Sequence, residues 1–367
     1  MKIAPFVHAL GRQPDLFRHT LVHTGQHYDA TMSAAFFQAL SIPPADVELG
    51  IGSGTHAEQV GRAMIAFEPV LRARRPDWVV VVGDVNATCA CAITAKKEQV
   101  KLAHVEAGLR SFDLAMPEEI NRMVTDRLAE LLFTTDALAD ANLRAEGTPE
   151  ARIKRVGNIM IDTLEAQRAV AAALEPARIA AATRLPVPAP PPLPALRDDA
   201  FAVVTLHRPS NVDDRRVLAG LVDFLIDEVA AAMPLIWPVH PRCRRQLELQ
   251  GLWPRVAASK SVVMTAPLDY HAMLRLNMGA RVLLTDSGGL QEECCVLGTP
   301  CLTLRENTER PITLREHGGV SVLVGHDVAR LRSAWQEALR QPRAVHRPPL
   351  WDGHAAERIV ACFKELA

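Results

Sequence analysis

The 367-residue chain has no excess of charge of one sign and no hydrophobic run long enough to cross a membrane. Lys plus Arg number 41 and Asp plus Glu number 42, so the formal net charge is −1, and the sequence does not predict a nucleic-acid partner. The longest apolar runs are strand-sized, far below the roughly 20 residues of a membrane span. The N-terminus shows no apolar segment with a small-residue cleavage site. These features predict a cytoplasmic protein with no membrane partner.

Signatures of several enzyme classes are missing as well. The seven cysteines form no CxxC pair, which argues against a zinc site and a disulfide framework and predicts buried, small hydrophobic side chains. No GxGxxG follows a predicted strand, and no GxSxG elbow occurs, so neither a dinucleotide cofactor nor a serine hydrolase is indicated. Carboxylates and histidines could still bind a divalent metal, but DxD and HxH spacings are lacking. We expect no metal and no cofactor.

Short runs rich in β-branched residues alternate with helical patterns through nearly the whole chain. This alternation is typical of parallel βαβ units, and it predicts an α/β protein with two doubly wound, Rossmann-like parallel-sheet domains. Strands are predicted at 20–23, 78–82, 102–105, 131–134, 202–205, 235–239, 262–265, 281–284, 301–304 and 320–324.

Helical patterns and a proline-rich stretch set the predicted domain boundaries. Helices are predicted at 57–74, 117–131, 163–184 and 355–366, and residues 185–194 are too rich in proline for a helix or a central strand. Because the 163–184 helix should already belong to the second domain, we place the domains at 1–162 and 163–348, followed by a final helical segment at 349–367.

Acidic residues follow two strands of the first domain. Asp84 comes after the 78–82 strand, Glu106 follows the 102–105 strand, and Glu118 begins the next helix. Ligands of open parallel sheets bind beyond the carboxyl ends of the strands, so these carboxylates are candidates for general acid–base catalysis. The alternative is structural: Asp84 would cap a helix, and Glu118 and Glu119 would stabilise the first turn of one. For Glu119 we favour the structural role.

Basic and small residues follow three strands of the second domain: His207-Arg208, His240 and Ser287-Gly288-Gly289. The glycines allow close backbone approach, and the helix they begin offers free amides to an anion. Glu293, further along that helix, could accept two ribose hydroxyls, and Arg310 offers positive charge to a diphosphate. The alternatives are a glycine-rich turn with solvent-facing acids and a solvated loop around Arg310.

Nine short motifs are spread in order over nearly the whole chain: TGQH at 24–27, GDVNAT at 83–88, HVEAGLR at 104–110, PEEINR at 117–122, VGN at 156–158, TLHR at 205–208, PVH at 238–240, DSGGLQEE at 286–293 and TERP at 308–311. Together they resemble the motifs of the non-hydrolysing UDP-N-acetylglucosamine 2-epimerases.

The resemblance implies a glycosyltransferase-B-like fold, with the active site in the cleft between the two domains and the final helix packed back on the first. The implied reaction is reversible conversion of UDP-GlcNAc to UDP-ManNAc for surface polysaccharides. It proceeds through anti elimination of UDP to 2-acetamidoglucal and re-addition. The implied partners are UDP-GlcNAc, UDP-ManNAc and UDP, and a second copy of the chain in a homodimer.

Motif positions imply the roles of individual residues. The catalytic places fall on Asp84, Glu106, Glu118 and His207. The UDP-binding loop falls on Ser287, Gly288 and Gly289 with Glu293, where Glu293 serves the ribose and Ser287 the phosphates. The remaining substrate-binding positions are Lys2, Gln26, Arg110, Arg208, His240 and Arg310.

Two departures from the family pattern shape the expectations. The chain starts in a segment that resembles the helix after the family's Gly-Thr-Arg-Pro-Glu loop, so that loop and one central strand are expected to be missing. Asp29 and residues 53–54 stand where some members hold an activating second UDP-GlcNAc, which argues against such activation here. The alternative functions are a related 2-epimerase, acting on a UDP-diacetamido-uronic acid or releasing free ManNAc, and an impaired nucleotide-sugar-binding protein.

Overall fold

The structure is a computed structural model that describes residues 1–25, 37–187 and 191–366. It divides into two compact units, formed by Met1–Ala166 with Pro348–Ala367 and by Gln167–Arg347. Each unit contains a parallel β-sheet flanked by helices, which confirms the predicted α/β class.

The helices follow one another along the described chain with these bounds: α1 (Ile3–Gly11), α2 (His56–Arg74), α3 (Asn86–Lys97), α4 (Pro117–Leu128), α5 (Ala137–Ala145), α6 (Ile159–Ala172), α7 (Pro176–Thr183), α8 (Pro209–Val212), α9 (Arg215–Phe224), α10 (Ala230–Ala232), α11 (Pro241–Leu249), α12 (Trp253–Ala258), α13 (Tyr270–Gly279), α14 (Gly288–Leu297), α15 (Val328–Arg340) and α16 (Ala355–Lys364). A π-helical segment, Leu225–Val229, joins α9 to α10. None of the described helices is long and apolar enough to span a membrane.

The strands of the first unit form two parallel sheets. They are β1 (Val22–His23), β2 (Val47–Glu48), β3 (Trp78–Val82), β4 (Lys101–Ala107), β5 (Leu131–Thr134) and β6 (Ile153–Arg155). β1 pairs with β2, and the four-stranded sheet has the order β3-β4-β5-β6. The sequence does not predict β2 and β6 because each is only two or three residues long and at least half of its residues are charged.

The final helix α16 packs within the first unit. Phe363 of α16 lies in one apolar cluster with Phe6 of α1 and Phe133 of β5. Its ring centroid is 5.7 Å from that of Phe133 and 6.4 Å from that of Phe6. The two ends of the described chain therefore share one core.

The second unit contains a single six-stranded parallel sheet. Its strands are β7 (Ala202–Thr205), β8 (Leu235–Pro238), β9 (Val262–Thr265), β10 (Val282–Thr285), β11 (Cys301–Thr303) and β12 (Ser321–Leu323), in the order β12-β11-β10-β7-β8-β9. β7 and β10 are adjacent, with Thr205 opposite Thr285. Residues that follow these two strands therefore emerge side by side.

Two predictions about local structure need correction. The predicted single helix at 163–184 is two helices, α6 and α7, because Pro176 begins a new helix, where its missing amide hydrogen is tolerated. Six of the seven cysteines are buried as predicted, whereas Cys362 is half-buried. Of the proline-rich stretch, 185–187 and 191–194 are described and form neither helix nor strand.

Candidate active site

Glu106 is the most unusual carboxylate of the first unit. It lies in β4, where the pairing with β5 shifts register between Val105 and Ala107, and its φ is +71°. A non-glycine residue in the left-handed region costs about 1 kcal/mol or more, and such strain clusters at functional sites. The Glu106 side chain is buried, its Oε2 contacts Lys2 Nζ, and its Oε1 has no hydrogen-bond partner among the described residues.

Gly83, the residue before Asp84, lies beside Glu106. A Cβ on Gly83, whose φ is +73°, would lie 3.4 Å from Glu106 Oε2 and 3.5 Å from Lys2 Nζ. The Asp84 carboxylate accepts a hydrogen bond on Oδ2 from Arg122 Nη1, at 2.5 Å. The helix-capping alternative does not hold, since Val85 is the residue at the N-cap of α3.

Glu118 lies one helical turn before Arg122 on α4, on the face that approaches Asp84. Its side chain is half-buried, and no hydrogen bond or ion pair links it to any residue in the described part of the chain. The contacts of Gly83 and Arg122 thus hold the Asp84 segment beside Glu106 of β4 and against α4, the helix that carries Glu118.

Glu119 has a structural role, as predicted, but it also contacts the loop before α4 and Arg122 in addition to lying in the first turn of the helix. Its carboxylate accepts hydrogen bonds from Ser111 N at 3.0 Å and Phe112 N at 2.9 Å, and it lies 2.6 Å from Arg122 Nη2. Burial alone would raise the pKa of Glu119, but these donors outweigh it and the pKa is lowered. Glu119 therefore orients Arg122 and holds the loop before α4.

Arg110 was predicted to line the substrate pocket, but its guanidinium is instead paired with two carboxylates of the first unit. It is 2% exposed, its Nη1 lies 2.7 Å from Asp126 Oδ2, and its Nε lies 2.7 Å from Glu146 Oε1. Asp126 also lies 2.6 Å from His104 Nδ1, and the other ring nitrogen of His104 is 2.8 Å from the Gly83 carbonyl oxygen. This buried network holds the loop of Gly83 against β4, and the sequence reading did not find it.

The second unit contributes a buried carboxylate that the list of predicted site residues lacks. Asp286 follows β10, is fully buried, and accepts hydrogen bonds on Oδ2 from His207 N, Arg208 N and Asn211 Nδ2, each at 2.9 Å. Its Oδ1 lies 2.6 Å from His207 Nδ1. Burial would raise the pKa of Asp286, but the contacts with His207 and Asn211 outweigh it, and the pKa is lowered.

His240 lies beside His207, as its position at a neighbouring strand end predicts. The two ring centroids are 5.6 Å apart. His240 Nδ1 accepts a hydrogen bond from Arg242 N at 3.2 Å and so caps helix α11. Burial, together with the neighbouring His207, lowers the pKa of His240, so that its imidazole is neutral at physiological pH.

Helix α14 begins with a site suited to an anion. Ser287 is its N-cap residue, and the serine side chain makes no capping hydrogen bond. Glycine is the residue that fits next without displacing a neighbour, because a Cβ on Gly288 would lie 2.6 Å from Arg310 Nη1 and 2.7 Å from Glu309 Oε1. Gly289 follows in the first turn of α14. Free amides and the helix dipole favour a phosphate at such a terminus.

Arg310 was expected to offer its positive charge to a diphosphate, and Glu293 was expected to be an ionised carboxylate; the structure changes both expectations. Arg310 is 5% exposed, its Nε lies 2.8 Å from Glu292 Oε1, and its Nη1 contacts Glu309, so two carboxylates offset its charge. Glu293 is buried on α14, and burial raises its pKa to about 7, although the Tyr270 and Asn277 side chains favour the ionised form.

The remaining predicted residues have different outcomes. Arg208 is half-buried, and its Nε donates to the Asp286 carbonyl oxygen at 2.9 Å. Lys2 contacts Glu106, and Gln26 lies outside the described residues. Across the described ranges, no group of three or more His, Cys, Asp or Glu side chains suits a metal ion.

The fold and these groups define an α/β enzyme of the glycosyltransferase-B-like class. The sequence model of the UDP-N-acetylglucosamine 2-epimerases matches residues 8–364. The chain belongs to this family, which confirms the resemblance seen in its motifs.

Individual relatives agree with this assignment. The chain is 38% identical to the UDP-N-acetylglucosamine 2-epimerase of Methanocaldococcus jannaschii, over 98% of this chain and 94% of that protein. It superimposes on a crystal structure of the Methanocaldococcus jannaschii enzyme in complex with UDP-GlcNAc and UDP with a TM-score of 0.87 at 37% identity, covering 99% of this chain and 96% of that one. It is also 39% identical to the UDP-2,3-diacetamido-2,3-dideoxy-D-glucuronate 2-epimerase of Pseudomonas aeruginosa, over 83% of this chain and 79% of that protein.

Proposed function

We propose that the protein interconverts UDP-GlcNAc and UDP-ManNAc without releasing the free sugar, in a pathway that supplies surface polysaccharides. The observation that carries the proposal is Glu106, a buried carboxylate held in a left-handed backbone with one oxygen unpartnered among the described residues. Such strain persists only where the surroundings enforce it, and it is typical of catalytic positions.

In the proposed reaction, one group removes the proton on C2 while the bond between C1 and the UDP oxygen breaks. The electrons of the C2–H bond form the C1=C2 double bond of 2-acetamidoglucal, and those of the C1–O bond leave with UDP. UDP then adds back to C1, and a proton is delivered to the opposite face of C2. Two acid–base groups are needed, and Glu106, Glu118, Asp84 and His207 are the candidates that the geometry supports.

UDP must stay bound while it is detached from the sugar. We assign this task to the second unit, where the free amides at the start of α14 and the Ser287 hydroxyl receive the phosphates. Glu293, five residues further along the helix, receives the ribose hydroxyls. No cofactor takes part in this scheme.

The decisive experiment follows the anomeric proton by NMR after the protein is mixed with UDP-GlcNAc. We expect a mixture of UDP-GlcNAc and UDP-ManNAc, whereas free ManNAc would indicate a hydrolysing enzyme and an unchanged spectrum would mean that the proposal is wrong. In D₂O the product should carry deuterium at C2, because a protein acid exchanges its proton with solvent between the two steps. Retention of the original C2 proton would contradict elimination and re-addition.

A second candidate substrate is a UDP-diacetamido-uronic acid. It is favoured by the 39% identity to the Pseudomonas aeruginosa enzyme. Measuring kcat/KM for both substrates with one preparation discriminates the two, and we expect the higher value for UDP-GlcNAc. The opposite ratio would move the assignment to the uronic acid.

We also propose a homodimer, which rests on the family resemblance alone. Light scattering at micromolar concentration would test it, with an expected mass about twice that of one chain. A mass equal to one chain would refute this part of the proposal.

A further inference from the structure

The backbone around Glu106 is held from both sides by one carboxylate of α4. Asp126 Oδ1 lies 2.6 Å from His104 Nδ1, and Asp126 Oδ2 accepts a hydrogen bond from Gly108 N at 3.0 Å. His104 is two residues before Glu106, and Gly108 is two residues after it. Asp126 therefore holds the chain on either side of the position whose φ is +71°, and it helps to enforce that strained conformation.

The second ring nitrogen of His104 reaches the segment that carries Asp84. His104 Nε2 lies 2.8 Å from the Gly83 carbonyl oxygen, and Gly83 N donates to the Val105 carbonyl oxygen at 3.0 Å. The Gly83 carbonyl belongs to the peptide bond with Asp84. These two hydrogen bonds therefore hold the start of the Asp84 segment against the strand that carries Glu106.

The two hydrogen bonds of His104 determine how many protons the pair of His104 and Asp126 holds. A carbonyl oxygen only accepts, so the bond to Gly83 requires a proton on Nε2. The hydrogen bond of 2.6 Å between His104 Nδ1 and Asp126 Oδ1 contains a second proton, because two bare lone pairs at this distance would repel each other. The pair therefore holds two protons, whichever partner owns the second one.

The surroundings place this second proton on the histidine. Asp126 Oδ2 also lies 2.7 Å from Arg110 Nη1, and a neighbouring guanidinium favours an ionised carboxylate. Burial disfavours a charged His104, but Asp126 outweighs it and the pKa of His104 is raised, while His104 and Arg110 outweigh the burial of Asp126 and lower its pKa. The charged groups around the pair are Arg110, Glu106, Lys2 and Glu146.

We propose that His104 is a positioning residue of the reaction: a buried imidazolium, held by Asp126, whose Nε2 fixes the Gly83 carbonyl and so keeps the Asp84 segment against Glu106. The inference rests on the proposed epimerase function for its kinetic part. His104 is fully buried and contacts no substrate in this scheme. A charged donor makes a hydrogen bond roughly twice as strong as a neutral one, so the charge of His104 strengthens its bond to Gly83.

Two amide variants of His104 test the kinetic part. The side chain of His104→Asn reaches only the place of Nδ1, so it loses the bond to Gly83. We expect its kcat to fall by about 10²-fold, the scale of a small misplacement of catalytic groups, while the dissociation constant for UDP changes by less than about threefold. His104→Gln reaches the place of Nε2 and can donate to Gly83 without a charge, so its kcat should stay within about tenfold of the wild type.

A purely structural histidine would not separate these two variants. Equal losses of kcat in His104→Asn and His104→Gln would overturn the inference. If His104→Asn does not fold, His104→Leu replaces it, since leucine also lacks a donor for Gly83. A kcat in His104→Leu as high as that in His104→Gln would equally overturn the inference.

NMR of protein labelled with ¹⁵N at histidine reads the charge of His104 without turnover. At about pH 8.5, where an ordinary imidazole is neutral, both ring nitrogens of His104 should be protonated in the wild type. In Asp126→Asn, the donors Gly108 N and Arg110 Nη1 direct the amide oxygen to the place of Oδ2, so the NH₂ group faces Nδ1 and His104 keeps only its Nε2 proton. A bare ring nitrogen in the wild type, or two protons in Asp126→Asn, would overturn the inference.

Asp140→Asn is the matched control for Asp126→Asn. Asp140 is a buried aspartate of α5 in the same unit, and it accepts hydrogen bonds from Arg155 Nε at 2.8 Å and from the Thr134 hydroxyl. It contacts no histidine in the described part of the chain. Asp140→Asn also neutralises a buried carboxylate paired with arginine, but it should change neither kcat nor the His104 signals.

The two hypotheses fail in different ways. A wild-type protein that leaves UDP-GlcNAc unchanged refutes the proposed function, whatever the spectra show. A wild-type protein that epimerises UDP-GlcNAc, but whose kcat falls equally in His104→Asn and His104→Gln, refutes the positioning role alone.

Discussion

At the scale of single residues, the environment of each carboxylate separates catalytic candidates from structural ones. Glu119 and Asp126 are buried among several donors, which use up their acceptor capacity. Glu106 keeps one oxygen unpartnered among the described residues, and Glu118 has a half-buried carboxylate with no described partner. Availability of an acceptor atom, more than burial, therefore marks the groups that can move a proton.

Glu106→Gln removes the base and keeps its shape. We expect kcat to fall by about 10²-fold or more with UDP affinity little changed, the pattern of a lost proton-transfer group. Glu150→Gln, which changes an exposed carboxylate paired with Arg144, should leave kcat at the wild-type value. A Glu106→Gln enzyme with near wild-type turnover would make Glu106 a structural residue.

Glu293 should make stability depend on pH. Burial raises its pKa from 4.5 to about 7 in the folded protein, so between these pH values the folded state binds more protons than the unfolded state. The unfolding free energy therefore falls as pH rises from 4.5 through 7, by on the order of 3 kcal/mol from this group. Urea unfolding at several pH values should show this fall in the wild type and a flatter curve in Glu293→Gln. Parallel curves for the two proteins would exclude a buried, protonated Glu293.

At the scale of elements, helix termini and helix docking position the site. α14 brings its N-terminus to the end of β10, and its buried face carries Glu292 and Glu293. α16 closes the core of the first unit against α1 and β5. The first arrangement can be tested at Gly288, which lies against Arg310 and Glu309, and the second at Phe363, which packs against other aromatic rings.

Gly288→Ala should disturb the start of α14. The new Cβ would meet Arg310 Nη1 at 2.6 Å and Glu309 Oε1 at 2.7 Å, and both side chains are buried, so the ion pair or the helix must shift. We expect UDP affinity to fall by about tenfold or more, as for loss of one charge-assisted phosphate contact. Gly61→Ala in α2, where nothing lies within 4 Å, should instead stabilise the protein by roughly 0.5 to 1 kcal/mol. Unchanged UDP binding in Gly288→Ala would show that this terminus does not hold the phosphates.

Phe363→Ala tests the docking of α16. The ring packs against Phe6, Trp78 and Phe133, and its removal from this core should cost about 3 to 5 kcal/mol of unfolding free energy. Leu366→Ala, two residues beyond the end of α16 and 55% exposed, should change it by less than about 0.5 kcal/mol. Urea denaturation compares the two, and equal effects would mean that α16 contributes little to the core.

At the scale of the whole molecule, two units with separate cores divide the chemistry. The first holds the carboxylates near Gly83 and Arg122, and the second holds α14 and the pair of Asp286 and His207. The proposed function assigns acid–base chemistry to the first unit and UDP binding to the second. His207 is the exception, because it lies in the second unit and is proposed as an acid–base group.

Paired variants measure this division of labour. Ser287→Ala should weaken UDP binding by about tenfold and leave kcat at saturating substrate within about threefold, whereas Glu118→Gln should lower kcat by about 10²-fold and leave UDP binding unchanged. Calorimetry gives the dissociation constants and NMR the rates. If Glu118→Gln weakened UDP binding as much as Ser287→Ala, the assignment of tasks to units would be wrong.

The sequence by itself determined the strands whose apolar runs are bounded by turn residues. The strands at 131–134, 202–205 and 262–265 have the predicted bounds, because parallel strands buried on both faces need continuous apolar runs. The motifs likewise placed Glu106 and Ser287 at strand ends and Glu293 inside the helix that follows Ser287. Local pattern and chain position suffice for such features.

Only the tertiary structure decided which of these residues meet. Asp286 and His207 are 79 residues apart in sequence and become neighbours because β10 pairs with β7. Arg110 was expected to face the substrate, but Asp126 and Glu146, 16 and 36 residues away, take its donors. Hydrophobic patterning specifies that a strand is buried but not which strand lies beside it, and polar side chains find partners only after the sheet order is set.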